Sequence, residues 1–284
     1  MIRVGIVSNL TKDTTGEYTR RVVLGVLERN MQPLVTSPVY QLIKIGDVVD
    51  ESELYEFSDL ILVLGGDGTI LQSSRKAAEF QKPILGINIG HLGFLAEAEM
   101  TNLSSILDAL SSKSFDIDRR MMLEVQLKRE GKIVNKSLAL NDVNIYKGSY
   151  SRMIHLNLWI DGEFVNYYAA DGLLISTPTG STAYSLSAGG PIIYPGMECM
   201  LVTPVCPHTL TSRPIVADAS SIIEVEGTNK SRNVIVTVDG QEAVPLQTGD
   251  RIIVFKSKFE TQLIRIFGYS FYHLLRSKLS SRKE

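Results

Sequence analysis

The sequence predicts an α/β domain followed by an all-β domain, and three observations support this fold class. In the first third of the chain, short apolar runs alternate with stretches whose apolar residues repeat at helical spacing. From Met122 onward, apolar and polar residues alternate with a period of two, which is typical of antiparallel sheets. The chain has 284 residues, of which 44% are hydrophobic, and this length suggests about two domains.

The first domain is predicted from apolar strands with helical stretches between them. The predicted strands are residues 2–7, 60–64 and 84–87. Apolar residues from Val22 to Leu27 repeat at helical spacing, and a second helix is predicted over residues 102–110 behind a capping Asn102. Strands separated by helices form a parallel sheet, so we expect a Rossmann-like α/β domain over residues 1–118.

The second domain, residues 119–267, is predicted to be a β-sandwich. An Asp161-Gly162 hairpin turn joins predicted strands at residues 154–160 and 163–167. Similar alternation recurs in residues 222–225, 234–238, 251–255 and 262–266, which is too many short strands for an extension of the first sheet.

The tail returns to helical spacing over residues 270–279. We assign residues 268–284 to the first domain, on which the apolar face of this helix could dock. A cleft between two domains is the default place for a ligand.

Composition narrows the class of protein. Lys and Arg number 29 against 31 Asp and Glu, a balance that argues against a general nucleic-acid or anionic-membrane surface. No run of about 20 apolar residues and no cleavable leader is visible. Cys199 and Cys206 are too few for a disulfide scaffold and lack metal-site spacing, as do the four His residues. These features lead us to expect a cytoplasmic protein that binds neither nucleic acid nor membrane.

Gly65-Gly66-Asp67-Gly68-Thr69, the glycine turn, lies between a predicted strand and a predicted helix. Glycines let the backbone approach phosphate closely, and the first amides of a helix favour negative charge. A carboxylate in such a turn would repel the ligand unless it meets a hydroxyl or a metal ion, and either role suits phosphoryl transfer. The alternative is a tight turn in which Asp67 only caps the helix.

A second segment, residues 171–191, is dense in glycines and small hydroxyl side chains. It contains Asp171-Gly172, then Thr177-Pro178-Thr179-Gly180-Ser181-Thr182-Ala183-Tyr184, and ends in Gly189-Gly190-Pro191. Hydroxyls and amides at this spacing can wrap a polar ligand, and Tyr184 offers a ring with a polar tip. The alternative is a surface loop rich in Ser and Thr.

Together with an Asn141-Asp142 pair, these two segments resemble the NAD kinases in order and spacing, and the resemblance runs over most of the chain. The glycine turn alone is shared with diacylglycerol and sphingosine kinases, so the second segment is the more specific. The resemblance implies an amino-terminal α/β domain, a carboxy-terminal β-domain and an active site between them.

The resemblance also implies roles for individual residues. Asp67 would accept the proton of the adenosine 2′-hydroxyl of NAD, and Gly68 would allow close backbone approach. Asp171 would bind the nicotinamide end, and Asn141 and Asp142 the ribose or adenine. The further implied nucleotide contacts are Phe94, Arg152, Ala169, Thr182, Ala183, Tyr184, Ser185, Leu186, Ser187 and Gln241.

Several of these residues keep an alternative interpretation. Phe94 could instead pack at the domain junction, the Asn141-Asp142 pair could form a β-turn after Leu140, and Arg152 could be a solvated strand residue. Position 169 varies among family members, so Ala169 leaves the choice between NAD and NADH open.

The implied reaction is phosphoryl transfer to NAD from ATP, another nucleotide or polyphosphate, with Mg²⁺ or another divalent cation bridging the donor phosphates. No dedicated metal site within the protein is expected, and relatives suggest a homodimer or homotetramer. A lipid kinase is the enzymatic alternative, but the hydroxyl-rich segment offers no apolar slot for it. A sensor that binds NAD without turnover is the alternative outside enzymes.

Overall fold

A computed structural model of the chain describes residues 1–90, 93–148, 153–228, 233–268 and 270–280. The chain divides into two compact units. The first contains residues 1–119 together with the described residues from 260 onward, and the second contains residues 120–259.

The first unit is built on a parallel sheet, as the alternating pattern predicted. Its strands are β1 (Arg3–Ser8), β2 (Gln32–Val35), β3 (Asp47–Val48), β4 (Leu60–Gly65), β5 (Ile84–Asn88) and β6 (Ala98–Glu99). The strand order is β5-β4-β1-β2-β3, every pair is parallel, and β6 pairs with β5. Every residue of β4 and β5 is buried, because helices cover both faces of a parallel sheet.

The helices of the first unit are α1 (Glu17–Glu28), α2 (Ser37–Ile43), α3 (Glu51–Phe57), α4 (Asp67–Glu79) and α5 (Leu103–Ser112). The spacing predicted α1, α4 and α5, whereas α2 and α3 are too short to give a clear apolar period. Asn102 precedes α5 as predicted but makes no side-chain cap bond, because its Oδ1 accepts the hydroxyl of Thr101 at 3.2 Å.

The second unit is an antiparallel β-sandwich, which confirms the predicted fold class. Its strands are β7 (Asp116–Arg129), β8 (Lys132–Ala139), β9 (Asp142–Lys147), β10 (Ile154–Ile160), β11 (Glu163–Ala170), β12 (Gly172–Ser176), β13 (Cys199–Val205), β14 (Ile215–Asp218), β15 (Ile223–Gly227), β16 (Val234–Val238), β17 (Gln241–Pro245) and β18 (Arg251–Arg265). One sheet has the order β14-β13-β12-β9-β16-β17, and in the other β11-β10-β15-β18 continues into β7 and β8. The core between them is apolar, with Leu156, Ile175 and Val202 fully buried. A single helical turn, α6 (Tyr184–Ser187), follows a 3₁₀ segment (Thr179–Thr182).

The predicted strands at residues 251–255 and 262–266 are one strand, β18, of 15 residues. Two strands were predicted because the residues between them are mostly polar. Polar residues can continue a strand, since its hydrogen bonds are made by the backbone, and Ser257 and Thr261 are both buried within β18. In the second unit β18 pairs with β15, and in the first unit its Leu263 pairs with Ile84 of β5. The last helix, α7 (Phe271–Ser280), belongs to the first unit.

Candidate active site

The predicted site residues fall into two groups, each described within its own unit. Asp67, Gly68 and Phe94 belong to the first unit. Arg152 lies outside the described residues, as do His91 and Leu92 beside Phe94. All the other predicted contacts belong to the second unit.

The glycine turn joins β4 to α4 at the carboxyl edge of the first unit's sheet. A Cβ on Gly65 would overlap the side chain of Thr69, so only glycine lets the helix begin directly after the strand. Gly68 differs, because a Cβ there would meet no atom within 4 Å and the residue is exposed. Its backbone is therefore open to a ligand.

Asp67 is the first residue of α4, and its carboxylate is held by a loop that follows β5. Oδ2 accepts the backbone amide of Phe94 at 2.8 Å, and Oδ1 accepts that of Leu95 at 3.2 Å. A Cβ on Gly93 would overlap the carboxylate. The alternative that Asp67 only caps the helix is wrong, since the N-cap is Gly66 and no side-chain cap bond exists. Phe94 serves Asp67 through its amide, while its side chain is half-buried.

The loop after β1, residues 9–13, lies beside the glycine turn. Asn9 connects the two, because its amide donates to the carbonyl of Leu64 at 2.9 Å and its Nδ2 donates to Thr69 Oγ1 at 3.0 Å. Its Oδ1 also accepts the backbone amides of Thr11 and Lys12. The loop directs Lys12 over the turn, so that a Cβ on Gly66 would lie 3.2 Å from Lys12 Nζ.

A pocket of about 810 Å³ opens between this loop and the glycine turn, entirely within the first unit. We call it the β1–β4 pocket. Its polar lining includes Asn9, Lys12, Asp67 and Thr69. A cavity of this size accommodates a small-molecule ligand.

In the second unit, the hydroxyl-rich segment is bound to the Asn141-Asp142 pair. The amide of Thr177 donates to the Asn141 carbonyl at 2.9 Å, and the Thr177 hydroxyl donates to the Leu140 carbonyl at 2.5 Å. A Cβ on Gly180 would overlap the Asn141 carbonyl, so this glycine is required for close packing. Residues 177–181 are buried, and the interpretation as a loose surface loop is wrong for them.

The Asn141-Asp142 pair is also held from the other side by Asp239. The carboxylate of Asp239 accepts the amides of Leu140 at 2.9 Å, Asn141 at 2.8 Å and Asp142 at 3.1 Å. Asp239 and Gly240 have φ values of 51° and 68°, which is the left-handed geometry of a tight hairpin turn between β16 and β17. This hairpin fixes the backbone of the pair.

Asp142 begins β9 and is buried, with 7% of its surface exposed. Burial, reinforced by the neighbouring Asp239 carboxylate, raises the pKa of Asp142 to about 7. Val143 and Ile145 point into the sandwich core, so Asp142 and Asn144 lie on the opposite face of the sheet. A buried carboxyl on a polar sheet face can exchange a proton near neutral pH or accept a hydrogen bond from a ligand hydroxyl.

Residues 182–187, expected to line the ligand pocket, differ in accessibility. Tyr184 and Ser187 are exposed, which suits a ligand contact. Ser185 is fully buried, and its hydroxyl shares a hydrogen bond of 3.0 Å with Thr203. Any contact from Ser185 would therefore come from its backbone.

Asp171, expected at the nicotinamide end, and the predicted nucleotide contacts Ala169 and Gln241 lie at or beside strand ends. Asp171 forms an ion pair of 2.7 Å with Lys147, and about a third of each side chain is exposed. The carbonyl of Ala169 accepts the amide of His208 at 2.8 Å. Gln241 is the first residue of β17, directly after the Asp239-Gly240 turn.

The described residues contain no group of three or more His, Cys, Asp or Glu arranged to hold a metal ion. Cys199 is buried and Cys206 exposed, both as free thiols. Across the same part of the chain, no helix is long and apolar enough to cross a membrane.

Four residues that position this chemistry were not predicted: Asn9, Lys12, Gly93 and Asp239. For Asn9 and Lys12 a signal existed, because polar residues directly after the first strand of an α/β sheet lie at its carboxyl edge. Gly93 and Asp239 stand beside the predicted contacts Phe94 and Gln241, but their own roles could not be predicted, since their partners are far away in the sequence.

Comparison with known proteins finds relatives that match nearly the whole chain. The family described as ATP-NAD kinase matches with its amino-terminal domain over residues 4–115 and with its carboxy-terminal domain over residues 140–266. NAD kinases from Thermoanaerobacter pseudethanolicus and Acetivibrio thermocellus are 41% and 39% identical over 99% and 100% of this chain, and over 100% and 99% of their own lengths.

Two solved structures are also similar. Yeast NADH kinase complexed with NADH has a TM-score of 0.90 at 27% identity, over 100% of this chain and 89% of that one. An NAD kinase from Archaeoglobus fulgidus in complex with ATP has a TM-score of 0.77 at 27% identity, over 99% of both chains.

Proposed function

The chain belongs to the ATP-NAD kinase family, and on that premise we propose that it phosphorylates NAD. The donor is ATP, the acceptor is the 2′-hydroxyl of the adenosine ribose, and the product is NADP. The observation that carries the catalytic assignment is the Asp67 carboxylate, held by the Phe94 and Leu95 amides beside an open glycine turn.

In this reaction the ribose 2′-oxygen forms a bond to the γ-phosphorus of ATP while the bond from that phosphorus to the bridging oxygen of ADP breaks. The 2′-hydroxyl proton passes to Asp67. Phosphoryl transfer depends mainly on alignment and charge stabilisation, because its transition state is loose. The hydrogen bonds that Asp67 accepts from two backbone amides support this role, since they fix the direction in which the remaining lone pairs of the carboxylate point.

Mg²⁺ is part of the proposal and would offset the charge of the donor phosphates when bound. Such an ion typically takes most of its ligands from phosphate and water, so a protein needs to supply only one or two carboxylate oxygens. The residues present fit this requirement, because the β1–β4 pocket is lined by a carboxylate besides Asp67, that of Asp50.

NAD would be bound mainly by residues of the second unit. Asn141 and Asp142 are proposed for the ribose or adenine, and the support is their rigid backbone, held by Asp239 and Thr177. Asp171 is proposed for the carboxamide of nicotinamide, because its carboxylate, paired with Lys147, can accept from an amide N–H. Phe94, Arg152, Ala169, Gln241 and residues 182–187 complete the proposed contacts.

The proposal includes a cytoplasmic homodimer or homotetramer. The strands at the two edges of one sheet of the second unit, β14 and β17, have backbone groups that a second copy could pair with. Light scattering coupled to size exclusion measures the number of copies directly.

The test is conversion of NAD, NADH and diacylglycerol with ATP and Mg²⁺, followed by direct detection of each phosphorylated product. We expect wild type to make NADP and Asp67→Asn to lose activity by about 10² or more while still binding NAD. Asp116→Asn is the matched control, because Asp116 is an exposed carboxylate outside the proposed site. NAD binding without turnover by wild type would favour the sensor, and turnover of diacylglycerol alone would favour the lipid kinase.

A further inference from the structure

The last part of the connection from β5 to β6, residues 93–97, holds the Asp67 carboxylate, and we call it the β5–β6 segment. At one end, the amides of Phe94 and Leu95 donate to Asp67. At the other end, the amide of Glu97 donates to a carbonyl of β5 at 3.0 Å. Glu97 is two residues from Leu95 in the chain, so a shift of Glu97 displaces the two amides as well.

The side chain of Glu97 is held by the chain where it leaves β18. Its Oε1 accepts the amides of Ile266 and Phe267 at 2.8 and 2.9 Å, and its Oε2 accepts Arg265 Nη1 at 3.0 Å. The residue is only 1% exposed, and a buried carboxylate is costly unless it is both hydrogen-bonded and paired with a cation. Arg265 supplies that cation.

Arg265 also pairs with a second carboxylate. Its Nε donates to Asp118 Oδ2 at 3.1 Å, and the planar guanidinium can donate to both carboxylates at once, which a lysine ammonium does less well. Asp118 lies on β7 and Arg265 on β18, the two strands along which the chain passes from one unit to the other. The guanidinium therefore ties the β5–β6 segment to both of these strands.

We propose that Arg265 is a positioning residue for the phosphoryl transfer. By pairing with Glu97 it fixes the β5–β6 segment, and the amides of that segment orient Asp67. Without the guanidinium, Glu97 is a buried carboxylate that lacks its cation, which favours an opened segment in which water reaches the charge. The inference rests on the proposed kinase function and adds to it a residue that acts through Asp67 without touching it.

The first measurement is hydrogen exchange of single amides by NMR, because it needs no turnover. In Arg265→Met the Phe94 and Leu95 amides should exchange about tenfold faster or more, while the amides of β4 keep their wild-type rates. Arg129→Met is the matched control, since it removes a guanidinium from Asp250, a carboxylate of the second unit that is also 1% exposed. In this control the Phe94 and Leu95 amides should exchange as in wild type.

The second measurement is the steady-state kinetics of NADP formation. Arg265→Met should lower kcat by roughly tenfold and leave the KM values for NAD and ATP close to wild type, because a displaced carboxylate affects the transfer rather than binding. Arg129→Met should keep the wild-type kcat. Gly93→Ala displaces the same carboxylate, so combining it with Arg265→Met should lower kcat by less than the product of the two single effects.

Unchanged exchange of the Phe94 and Leu95 amides in Arg265→Met would overturn the proposal. An equal rise at every amide of the first unit would also overturn it, because it indicates a loss of stability alone. So would an unchanged kcat, or a double variant that shows the full product of the two effects. If wild type formed no NADP, the proposed function would fail, and the exchange rates would still decide the role of Arg265.

Discussion

At the scale of single residues, the carboxyl of Asp142 illustrates how burial sets a protonation state. The residue is almost inaccessible to water, and burial, together with the Asp239 carboxylate, raises its pKa to about 7. A low-dielectric environment disfavours the charged form, and a like charge nearby adds to the effect. The Asp239 carboxylate accepts three backbone amides and so stays close to Asp142. The Asp142 carboxyl is therefore poised to exchange a proton near neutral pH.

The raised pKa of Asp142 predicts that the free energy of unfolding depends on pH. Between pH 4 and about 7 the folded chain retains a proton on Asp142 that the unfolded chain releases, so the free energy of unfolding should fall as pH rises through that window. The full difference is about 4 kcal/mol, of which about 2 kcal/mol should appear between pH 5.5 and 8. Urea unfolding at both pH values measures it, and Asp142→Asn should remove that part of the dependence. Asp116→Asn should keep it, and an unchanged dependence in Asp142→Asn would disprove the explanation.

At the scale of elements, α4 and the loop after β5 act together. Helix α4 presents Asp67 at its first position, and the loop supplies two amides 27 and 28 residues away in the sequence. The approach is so close that position 93 must lack a side chain. The Phe94 and Leu95 amides therefore belong to the proposed catalytic geometry, and the loop contributes to it through its backbone.

We therefore expect Gly93→Ala to displace the Asp67 carboxylate and lower kcat by roughly 10²-fold, since misplacement of a catalytic group by about 1 Å has effects of that order. Steady-state assays of NADP formation measure it, together with NAD binding, which should change little. In the control Gly90→Ala the nearest atom to the new Cβ lies 4.0 Å away, so activity should be retained. Equal kcat values in Gly93→Ala and wild type would show that the amide contacts are not needed for catalysis.

At the scale of the whole molecule, the first unit is completed only when the chain returns from the second. Residues 260–265 of β18 re-enter it, and Ile264 joins its core. Glu97 is 1% exposed and accepts Arg265 Nη1 at 3.0 Å and the amides of Ile266 and Phe267 at 2.8 and 2.9 Å. A buried carboxylate with these partners holds the two ends of the unit together.

A chain that ends at Phe259 should therefore lose the folded first unit, because Glu97 would be left buried without a partner, at a cost of about 3–5 kcal/mol. A chain that ends at Gly268 keeps the partners of Glu97 and lacks residues 269–284, and none of the described side chains of α7 is buried. Its melting temperature should stay within about 4 °C of the full chain. Calorimetric unfolding of both shortened chains provides the comparison, and equal stability of the two would refute the role of the return segment.

The sequence by itself determined the fold class, since the change from a helical period to a period of two is a local property of the chain. It also determined the glycine turn, because strand, glycines and helix follow one another directly. The roles of Asp67, Gly68 and the residues proposed to bind NAD came from motif resemblance and remain predictions.

Only the tertiary structure decided which groups meet. It made β18 one strand, buried the hydroxyl of Ser185 against Thr203, joined Asp67 to the Phe94 and Leu95 amides, and placed Lys12 over the glycine turn. Asp239 lies about a hundred residues from the amides that it accepts. Local periodicity specifies whether a segment forms a helix or a strand. The residues that each element contacts depend on strand order and on packing between segments far apart in the sequence, so they are determined only when the whole chain folds.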